Sequence, residues 1–522
     1  MKKINLTSAK FEKLIEGKAL YVDKTDYIWK MIDSGDTEFF LSRPRRFGKS
    51  LLVSTLKALF QGRRDLFSGL FIDRMDYDWE AYPVIHLDFG NSELHTATEV
   101  RSFLMDALDN FSLELGIPLR GRSLNTLFEN LISDTAKATK TGSVVVLVDE
   151  YDKPILGNVI NKRHNKAILS ILKGFYSNIK KKEGVIRFAF ITGVSKFAHV
   201  SLFSDLNNLT DITLDEEYAG MLGFTEKEIR EYFAERIPLA AKANGVPKEE
   251  LMRKVLKWYD GYRFSDDKTH VCNPVSVSSF FAKNYKFSNY WDDTGTPSFL
   301  VKLAREKEYD YETALNEWYD KSVFSAYELD RLDVTGLLWQ TGYLTIKETR
   351  QDEDGMEYRL DFPDQEVQST FSRRLIEAFA GDAKGDTAWN LARKLRTAIR
   401  EDDLNGFMTT FQAFLASIPY DLHLPYEKYY HTIFFSLFKL IGASIDAESH
   451  TSEGRIDAYV RTAKNVYIFE FKLDKSAEVA IGQIVGKRYY EKFLGGDLPV
   501  VMVGVNFDSE KGRIDDWKRM DG

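Results

Sequence analysis

The stretch Arg43-Pro44-Arg45-Arg46-Phe47-Gly48-Lys49-Ser50 decides the fold of the N-terminal part of this chain. It follows a short apolar run, Glu38 to Leu41, and opens a pattern with leucines at helical spacing from Ser50 to Phe60. Its end matches the loop pattern G-x-x-x-x-G-K-[ST], in which backbone N–H groups and a lysine surround phosphate. The first glycine of that pattern is missing. Two interpretations therefore stay open: a phosphate-binding loop, or a glycine-containing helix start with a capping serine.

Further apolar runs alternate with helical patterns through the first 200 residues. Strand-like runs cover Pro83 to Phe89, Ser143 to Val148 and Val185 to Thr192, and a helical pattern covers Val100 to Leu115. Continuous runs rich in β-branched residues are typical of strands buried on both faces. Together with Glu38 to Leu41 these runs give four strands joined by helices, which predict a parallel α/β sheet.

Polar residues end two of these predicted strands. Asp149 follows a buried run and is placed to reach a hydrated Mg²⁺ held by the hydroxyl of Ser50, and Glu150 is placed to polarise a water for attack on a γ-phosphate. Thr192 is either a polar sensor of the γ-phosphate or a strand-terminal cap. Alone, Asp-Glu after a strand is a polar strand end. Its combination with the Gly-Lys-Ser loop favours a nucleotide site.

Several stretches of the first 345 residues match one known family. They are Asp23-Lys24-Thr25, the phosphate loop, Val148-Asp149-Glu150-Tyr151-Asp152, Ile191-Thr192-Gly193-Val194-Ser195, Trp258-Tyr259-Asp260-Gly261-Tyr262-Arg263-Phe264 and Asn273-Pro274. Together they resemble the AAA-ATPase-like family of bacterial ATP-binding proteins, whose loop is itself arginine-rich and without a leading glycine.

This resemblance implies ATP as ligand and Mg²⁺ as its companion ion. Ser50 and Asp149 are then the Mg²⁺ ligands, and Glu150 is the catalytic base. The residues that it places around the nucleotide are Arg45, Arg46, Phe47, Gly48, Lys49, Ser50, Leu51, Asp149 and Thr192.

The role of the arginines stays open between two interpretations. Arg43, Arg45 and Arg46 either assist phosphate binding or form a basic surface loop. Arg263 either faces the γ-phosphate from a lid or stacks on a tyrosine of its own motif.

Two adjacent strand-like runs near the C-terminus, Arg455–Val460 and Val466–Lys472, carry Asp457, Glu470 and Lys472. Glu470 and Lys472 are two residues apart, so both side chains leave the same face of the strand. A hairpin between the runs brings Asp457 near Glu470. Two carboxylates offer oxygen ligands to a divalent metal, and a lysine beside them stabilises or deprotonates a water. The alternative is a buried structural ion pair of glutamate and lysine.

The order of elements around these residues resembles the PD-(D/E)XK nuclease superfamily, a restriction-endonuclease-like αβββαβ fold, over about residues 425 to 507. The predicted elements are a helix at Glu427–Ile441, strands at Ala443–Glu448, Arg455–Val460 and Val466–Lys472, a helix at Ala477–Phe493 and a strand at Val500–Val505.

The nuclease resemblance implies a role for each polar residue of this region. Asp457 and Glu470 become metal ligands for Mg²⁺, with Mn²⁺ as an alternative, and Lys472 becomes the catalytic lysine. Gln483 on the following helix faces the site. Glu427 is either the acidic residue of the first helix or a solvent-facing glutamate.

The sequence pattern is different in the region between the two parts that resemble known families. From about residue 215 it has short helical patterns with many aromatic residues, and Gly336 to Ile346 predicts a helix, a tight turn and a strand that pairs with Tyr358-Arg359-Leu360. We therefore predict an α/β protein of four domains. They are a P-loop domain at 1–214, a helical, winged-helix-like lid at 215–350, a helical connector at 351–420 and a nuclease-like domain at 421–522.

Composition excludes several classes of protein. The chain has 522 residues, a net charge of −8 and one cysteine, Cys272, which excludes a disulfide scaffold and a cysteine-ligated metal cluster. The N-terminus has no signal-peptide pattern, and no apolar run of about 18 residues predicts a membrane span. We expect a cytoplasmic protein without a membrane partner.

Two functions from different classes fit these observations. The first is an ATPase coupled to a metal-dependent nuclease acting on nucleic acid, with DNA favoured over RNA as the partner and the choice between them left open. The second is an ATP-driven switch whose C-terminal module binds nucleic acid or protein without cleaving it. Residues 421–522 carry 14 Lys and Arg against 16 Asp and Glu, and this acidic balance favours the switch, whereas the Asp/Glu-x-Lys set favours the enzyme. Oligomer formation is left open.

Overall fold

A computed structural model of the chain describes residues 1–90, 92–158, 161–196, 208–291, 309, 311–325, 333–379, 386–418, 427–441, 449–451 and 454–522. The chain divides into two compact units, Met1–Trp291 with Trp318–Asp364, and Asp292–Glu317 with Gln365–Gly522. The boundaries of the four predicted domains stay a prediction. None of the described helices is long and apolar enough to cross a membrane.

The first unit contains a parallel sheet of five strands in the order β2-β3-β4-β1-β5. Its strands are β1 (Glu38–Ser42), β2 (Val84–Asp88), β3 (Val144–Asp149), β4 (Ile186–Gly193) and β5 (Thr210–Asp211). The predicted parallel α/β sheet and its four strands are confirmed. The fifth strand has only two residues, both polar, so no apolar run announces it. β1 and β3 are buried at every position, as their continuous apolar runs predict.

In the described part of the chain, seven helices connect and cover this sheet. They are α1 (Phe11–Glu16), α2 (Thr25–Asp33), α3 (Lys49–Phe60), α4 (Ala97–Leu115), α5 (Leu124–Ala138), α6 (Lys153–Leu156) and α7 (Lys162–Lys181). α3 begins directly after Gly48, whose φ of 93° lies in the left-handed region that favours glycine. Capping boxes at Thr96 and Ser123 fix the starts of α4 and α5.

Between Glu226 and Asp361 the described chain forms short helices and a small antiparallel sheet of order β6-β8-β7. These elements are α8 (Glu226–Tyr232), α9 (Ile237–Asn244), α10 (Lys248–Tyr259), α11 (Pro274–Ala282), α12 (Tyr311–Asn316, in the second unit), β6 (Trp318–Asp320), α13 (Val334–Thr341), β7 (Thr345–Asp352) and β8 (Gly355–Asp361). The predicted helix, tight turn and hairpin are confirmed, and Gly342 makes the turn with a φ of 88°.

The second unit has helices on both faces of a four-stranded sheet of order β11-β12-β13-β14, in which only β12 and β13 run parallel. Its elements are α14 (Gln365–Phe379), α15 (Asp386–Glu401), α16 (Leu404–Ser417), α17 (Glu427–Ile441), β9 (Ser449–Thr451), β10 (Gly454–Ile456), β11 (Ala458–Arg461), β12 (Val466–Leu473), α18 (Ala477–Gly486), β13 (Val500–Asp508) and β14 (Arg513–Asp521).

The alternation of side chains along β12 explains this layering. Ile468 packs in one cluster with Ile481 and Ile484 of α18. On the opposite face Phe471 packs against Phe434 of α17, with ring centroids 3.8 Å apart and ring planes tilted by 54°. α14 and α15, in the stretch predicted as a connector, also contact α17.

The C-terminal prediction holds in part. The helix at Glu427–Ile441 is confirmed, whereas the predicted strand at Ala443–Glu448 lies outside the described residues. The strand at Arg455–Val460 is divided at Asp457 into β10 and β11. The helix starting at Ala477 ends at Gly486 instead of Phe493, because two glycines weaken its second half and Arg488 has a φ of 50°. β14 was not predicted, since its residues are mostly polar and exposed.

Candidate active sites

The phosphate loop lies between β1 and α3, as predicted. Lys49 is 6% exposed, and its Nζ donates to the carbonyl oxygens of Arg43 and Pro44, each at 2.9 Å. Burial lowers the pKa of the Lys49 ammonium, while the carboxylates of Glu150 and Asp149 oppose this shift. The ammonium is therefore held inside the loop by two carbonyls that it can exchange for phosphate oxygens.

Asp149 ends β3 beside the start of α3. The hydroxyl of Ser50 hydrogen-bonds the Asp149 carboxylate, and burial raises the pKa of that carboxylate to about 6. Its Oδ1 atom is buried and has no hydrogen-bond partner among the described residues. A hard cation binds carboxylate and hydroxyl oxygens. The pair therefore fits Mg²⁺, which would supply a positively charged partner for this buried oxygen.

Glu150 has a φ of 52°, a strained conformation for a residue with a side chain. Its carboxylate remains one-third exposed, and Oε2 lies 4.0 Å from Nζ of Lys153. The Lys153 ammonium also donates to the carbonyl of Gly90. The backbone conformation thus turns Glu150 out of the buried strand, with access to water.

The turn after β3 is tied to the turn after β4. The Asp152 carboxylate is fully buried and accepts hydrogen bonds from the backbone N–H groups of Val194 and Ser195 and from the Ser195 hydroxyl. A Cβ atom on Gly193 would lie 2.5 Å from Asp152 Oδ1 and 2.6 Å from the Tyr151 ring. Only glycine at position 193 permits this close approach.

Thr192 is fully buried, and its hydroxyl donates to the carbonyl of Leu41 in β1 at 2.7 Å. In this structure the side chain joins two neighbouring strands, which is the strand-cap alternative of the sequence. A role as sensor of the γ-phosphate stays a prediction.

The arginines of the phosphate loop divide into two kinds. Arg43 is 1% exposed, so it neither lies on the surface nor can contact phosphate directly in this structure. Burial lowers the pKa of its guanidinium to about 9. Arg45 and Arg46 are exposed, and Arg46 has a φ of 68°. Only these two face solvent on the loop and stay predicted phosphate contacts.

Two further residues predicted around the nucleotide, Phe47 and Leu51, stay predictions, and the groups that they could offer are their backbone N–H groups. The side chain of Phe47 is buried, with its ring 4.6 Å from that of Tyr262 between centroids. Leu51 lies in the first turn of α3, where its carbonyl accepts the Thr55 hydroxyl. Backbone N–H groups at a helix start are the groups that bind phosphate.

Arg263 has a different role from both predicted ones. It is buried, and its guanidinium donates to the carbonyls of Ser265, Asp266 and Asp267 and to the Thr349 hydroxyl. It therefore fixes the loop that follows its own motif, and the prediction of a lid arginine facing phosphate is wrong for this structure.

The motif Asp23-Lys24-Thr25 also serves the fold. Lys24 Nζ donates to the carbonyl of Gly220 at 2.7 Å and lies 2.5 Å from a carboxylate oxygen of Glu228. The motif thus attaches α2 to the start of the helical part of the unit.

Asp88 is a residue of the site that the sequence analysis missed. It ends β2 in register with Asp149, accepts the Gly90 N–H at 2.7 Å, and its charge contributes to the raised pKa of Asp149. The sequence contained a signal for Asp88, because this aspartate follows a strand-like apolar run just as Asp149 does.

In the second unit the structure brings together Asp457, Glu470 and Lys472. Asp457 Oδ2 accepts the N–H of Phe471 at 2.8 Å. Lys472 Nζ donates to Glu470 Oε1 and to the Phe471 carbonyl, both at 2.9 Å. All three side chains therefore lie around one residue of β12. Glu470 is fully buried and Lys472 is 8% exposed, so the ion pair considered from the sequence is present.

Two predicted members of this site are placed less closely. Gln483 lies on α18, which covers the face of β12 that carries Glu470, but its side chain makes no hydrogen bond within the described part of the chain. Glu427 is the first residue of α17, and its side chain lies outside the described residues. Among the residues that the structure describes, no three His, Cys, Asp or Glu side chains form a ready metal site.

Known families match both parts of the chain. Residues 6–203 match a predicted AAA-ATPase, and residues 425–517 match the PD-(D/E)XK nuclease superfamily. A relative from Azotobacter chroococcum mcd 1, named "Uncharacterized protein in vnfD 5′ region", is 36% identical over 523 residues, 98% of each chain. The chain belongs to this AAA-ATPase family. Both resemblances stated from the sequence are confirmed.

Among solved structures, a Walker-type ATPase of Pyrococcus abyssi is similar to this AAA-ATPase family member over 68% of the present chain and 96% of its own. The identity is 12% and the TM-score is 0.34.

Replacing Asp149 by asparagine tests the cost of its buried charge. The pKa is raised from 3.8 to about 6 in the folded protein, so the stability from this group is present below about pH 4 and lost as pH rises through about 6. Without metal, we expect Asp149→Asn to be more stable than wild type at pH 8, by up to about 3 kcal/mol, and equal at pH 4. Thermal melts at both pH values, with exposed Asp109→Asn as control, measure this; a less stable variant at pH 8 contradicts it.

Lys472→Ala tests the buried ion pair. Removing the ammonium leaves the Glu470 carboxylate buried without its cation, and we expect unfolding free energy to fall by about 3–5 kcal/mol. Urea unfolding measures the change, with exposed Lys475→Ala as the matched control. The double variant Glu470→Gln, Lys472→Met should recover most of the loss. Equal stability of Lys472→Ala and Lys475→Ala would show that the pair does not stabilise the fold.

Proposed function

We propose that the first unit hydrolyses ATP with Mg²⁺. The observation that carries the proposal is the contact of Ser50 with Asp149, whose second carboxylate oxygen is buried and without a hydrogen-bond partner in the described part. Bound Mg²⁺ would neutralise phosphate charge and polarise the γ-phosphate. Lys49 exchanges its two carbonyl partners for phosphate oxygens, and Glu150 takes a proton from the attacking water.

We further propose that the second unit is a metal-dependent nuclease acting on the phosphodiesters of nucleic acid, controlled by the ATPase. Its support is the position of Asp457, Glu470 and Lys472 around the backbone of Phe471. The donor set fits a hard cation, because it has one carboxylate from β12 and one from Asp457, directly before the neighbouring strand β11. Lys472 lies where it can stabilise the charge of a hydroxide or of the leaving oxygen.

The second candidate is an ATP-driven switch whose C-terminal module binds without cleaving. One observation favours it: the Glu470 carboxylate that a metal needs is already paired with Lys472 at 2.9 Å in a fully buried position. The two candidates share the ATPase and differ only in cleavage.

Glu150→Gln is expected to trap ATP. The amide keeps the shape and the Lys49 contacts to phosphate but cannot accept the proton of water, so turnover should fall at least a hundredfold while ATP stays bound. Filter binding of labelled ATP and release of phosphate measure the two quantities. Lys49→Ala is the contrasting variant and should lose both. Turnover at the wild-type rate in folded Glu150→Gln would leave Glu150 as only a strand-end carboxylate.

Asp457→Ala separates nuclease from switch. We expect wild type to cut plasmid or single-stranded substrates with Mg²⁺ or Mn²⁺ and to bind Mn²⁺ by titration calorimetry. The variant should bind Mn²⁺ at least tenfold more weakly and lose cleavage, because one of two carboxylate ligands is gone. An ATP-hydrolysing wild type that cleaves neither DNA nor RNA, with or without ATP, would favour the switch.

A further inference from the structure

Arg43 occupies the position of the missing first glycine of the phosphate-loop pattern, and its side chain points inward. Its Nη1 donates to the carbonyls of Ser42 at 2.9 Å and Thr213 at 2.7 Å, and its Nη2 donates to the carbonyl of Tyr218 at 3.4 Å. The guanidinium carbon lies 4.2 Å from the ring centroid of Phe264. One buried side chain thus fixes the loop to two other segments of the chain, residues 213–218 and the segment of Phe264.

The rest of the loop is packed on the same support. Phe47 has its ring centroid 5.4 Å from that of Phe264. The hydroxyl of Tyr262 donates to the carbonyl of Gly342 at 3.1 Å. A Cβ atom on Gly342 would lie 2.5 Å from Cβ of Pro44, so the loop rests directly on this turn.

The backbone of Arg43 connects this anchor to the phosphate-binding groups. Its carbonyl accepts Lys49 Nζ at 2.9 Å, and its N–H donates to the carbonyl of Gly193 at the end of β4 at 3.1 Å. A shift of Arg43 therefore moves the carbonyl that holds the ammonium of Lys49.

We infer that Arg43 is a positioning residue, which holds the phosphate loop in its ATP-binding shape by anchoring it on Phe264 and on the carbonyls of Thr213 and Tyr218. This inference rests on the proposed ATPase function. In the general pattern, glycine allows the backbone to approach phosphate closely, but it leaves the loop flexible. Here a buried arginine preorganises the loop, which reduces the ordering cost of binding.

The physical consequence is a split between binding and turnover. A loop without its anchor spends only a fraction of the time in the binding-competent shape, and the apparent Kd rises by the inverse of that fraction. Once ATP is bound, Ser50, Asp149 and Glu150 are unchanged. A positioning role therefore predicts a raised KM with kcat preserved.

The experiment compares Arg43→Lys, Arg43→Gly and Phe264→Leu with wild type in the full-length chain. Each variant should raise KM for ATP at least tenfold and keep kcat within about twofold. The double variant Arg43→Lys, Phe264→Leu should have a KM no higher than that of the more impaired single variant. Arg43→Gly gives the loop the glycine of the general pattern but removes the buried guanidinium. It therefore tests whether ATP binding depends on the anchor or on the match to the pattern.

Arg396→Lys is the matched control, because Arg396 also donates to backbone carbonyls, those of Leu440 and Ile441, but lies in the second unit. It should change the melting temperature without changing KM. An unchanged KM in folded Arg43→Lys or improved binding by Arg43→Gly overturns the inference. A wild type that neither binds nor hydrolyses ATP overturns the proposed function and the inference with it.

Discussion

Burial of the Asp152 carboxylate is the constraint on which the geometry of the first candidate site depends. A fully buried carboxylate is costly unless it is hydrogen-bonded, and all of its described partners belong to the turn of Val194 and Ser195. The turns after β3 and β4 are therefore joined. Tyr151 adds its hydroxyl bond to the carbonyl of Ser195. With its C-terminal side fixed in this way, Glu150 can retain a strained φ that turns its carboxylate toward water.

Gly193 links the turn that holds the Asp152 carboxylate to the phosphate loop. Its missing side chain leaves room for Asp152 and Tyr151, while its carbonyl accepts the N–H of Arg43. β4 lies between β1 and β3. The strand that leads into the phosphate loop and the strand that ends at Asp149 are therefore not hydrogen-bonded to each other. Their relative position is set by β4, and a side chain at position 193 would disturb both.

The sequence predicted the strands that are continuous and apolar, because burial on both faces requires such residues. It identified Lys49, Ser50 and Asp149, whose pattern is local. It did not predict the inward direction of Arg43 or the use of Asp152, because both depend on carbonyls and N–H groups more than 40 residues away. Asp88 was missed for another reason, since it follows the same strand-end rule as Asp149 but was read only as part of a strand.

In the C-terminal unit the sequence predicted that Asp457, Glu470 and Lys472 lie close together, as they do in the structure, but it left two interpretations of them open. The structure contains the ion pair, and it also places Asp457 on the neighbouring backbone. Gly504 lies in register with Glu470, and a Cβ atom there would clash with the carbonyl of Ala477. This close approach of α18 to the sheet encloses Glu470 and was beyond a local pattern, because it joins residues far apart in the chain.

The two candidate metal sites therefore begin from different electrostatic states. At the first, Asp149 holds a buried oxygen without a hydrogen-bond partner in the described chain and a pKa raised to about 6, so a cation relieves an existing cost. At the second, Glu470 already has the ammonium of Lys472, so a cation must replace an existing attraction. A divalent cation would therefore meet different electrostatic costs at the two sites. The proposed Mg²⁺ would bind the first site without displacing a cation, whereas a metal at the second site would compete with Lys472 for Glu470.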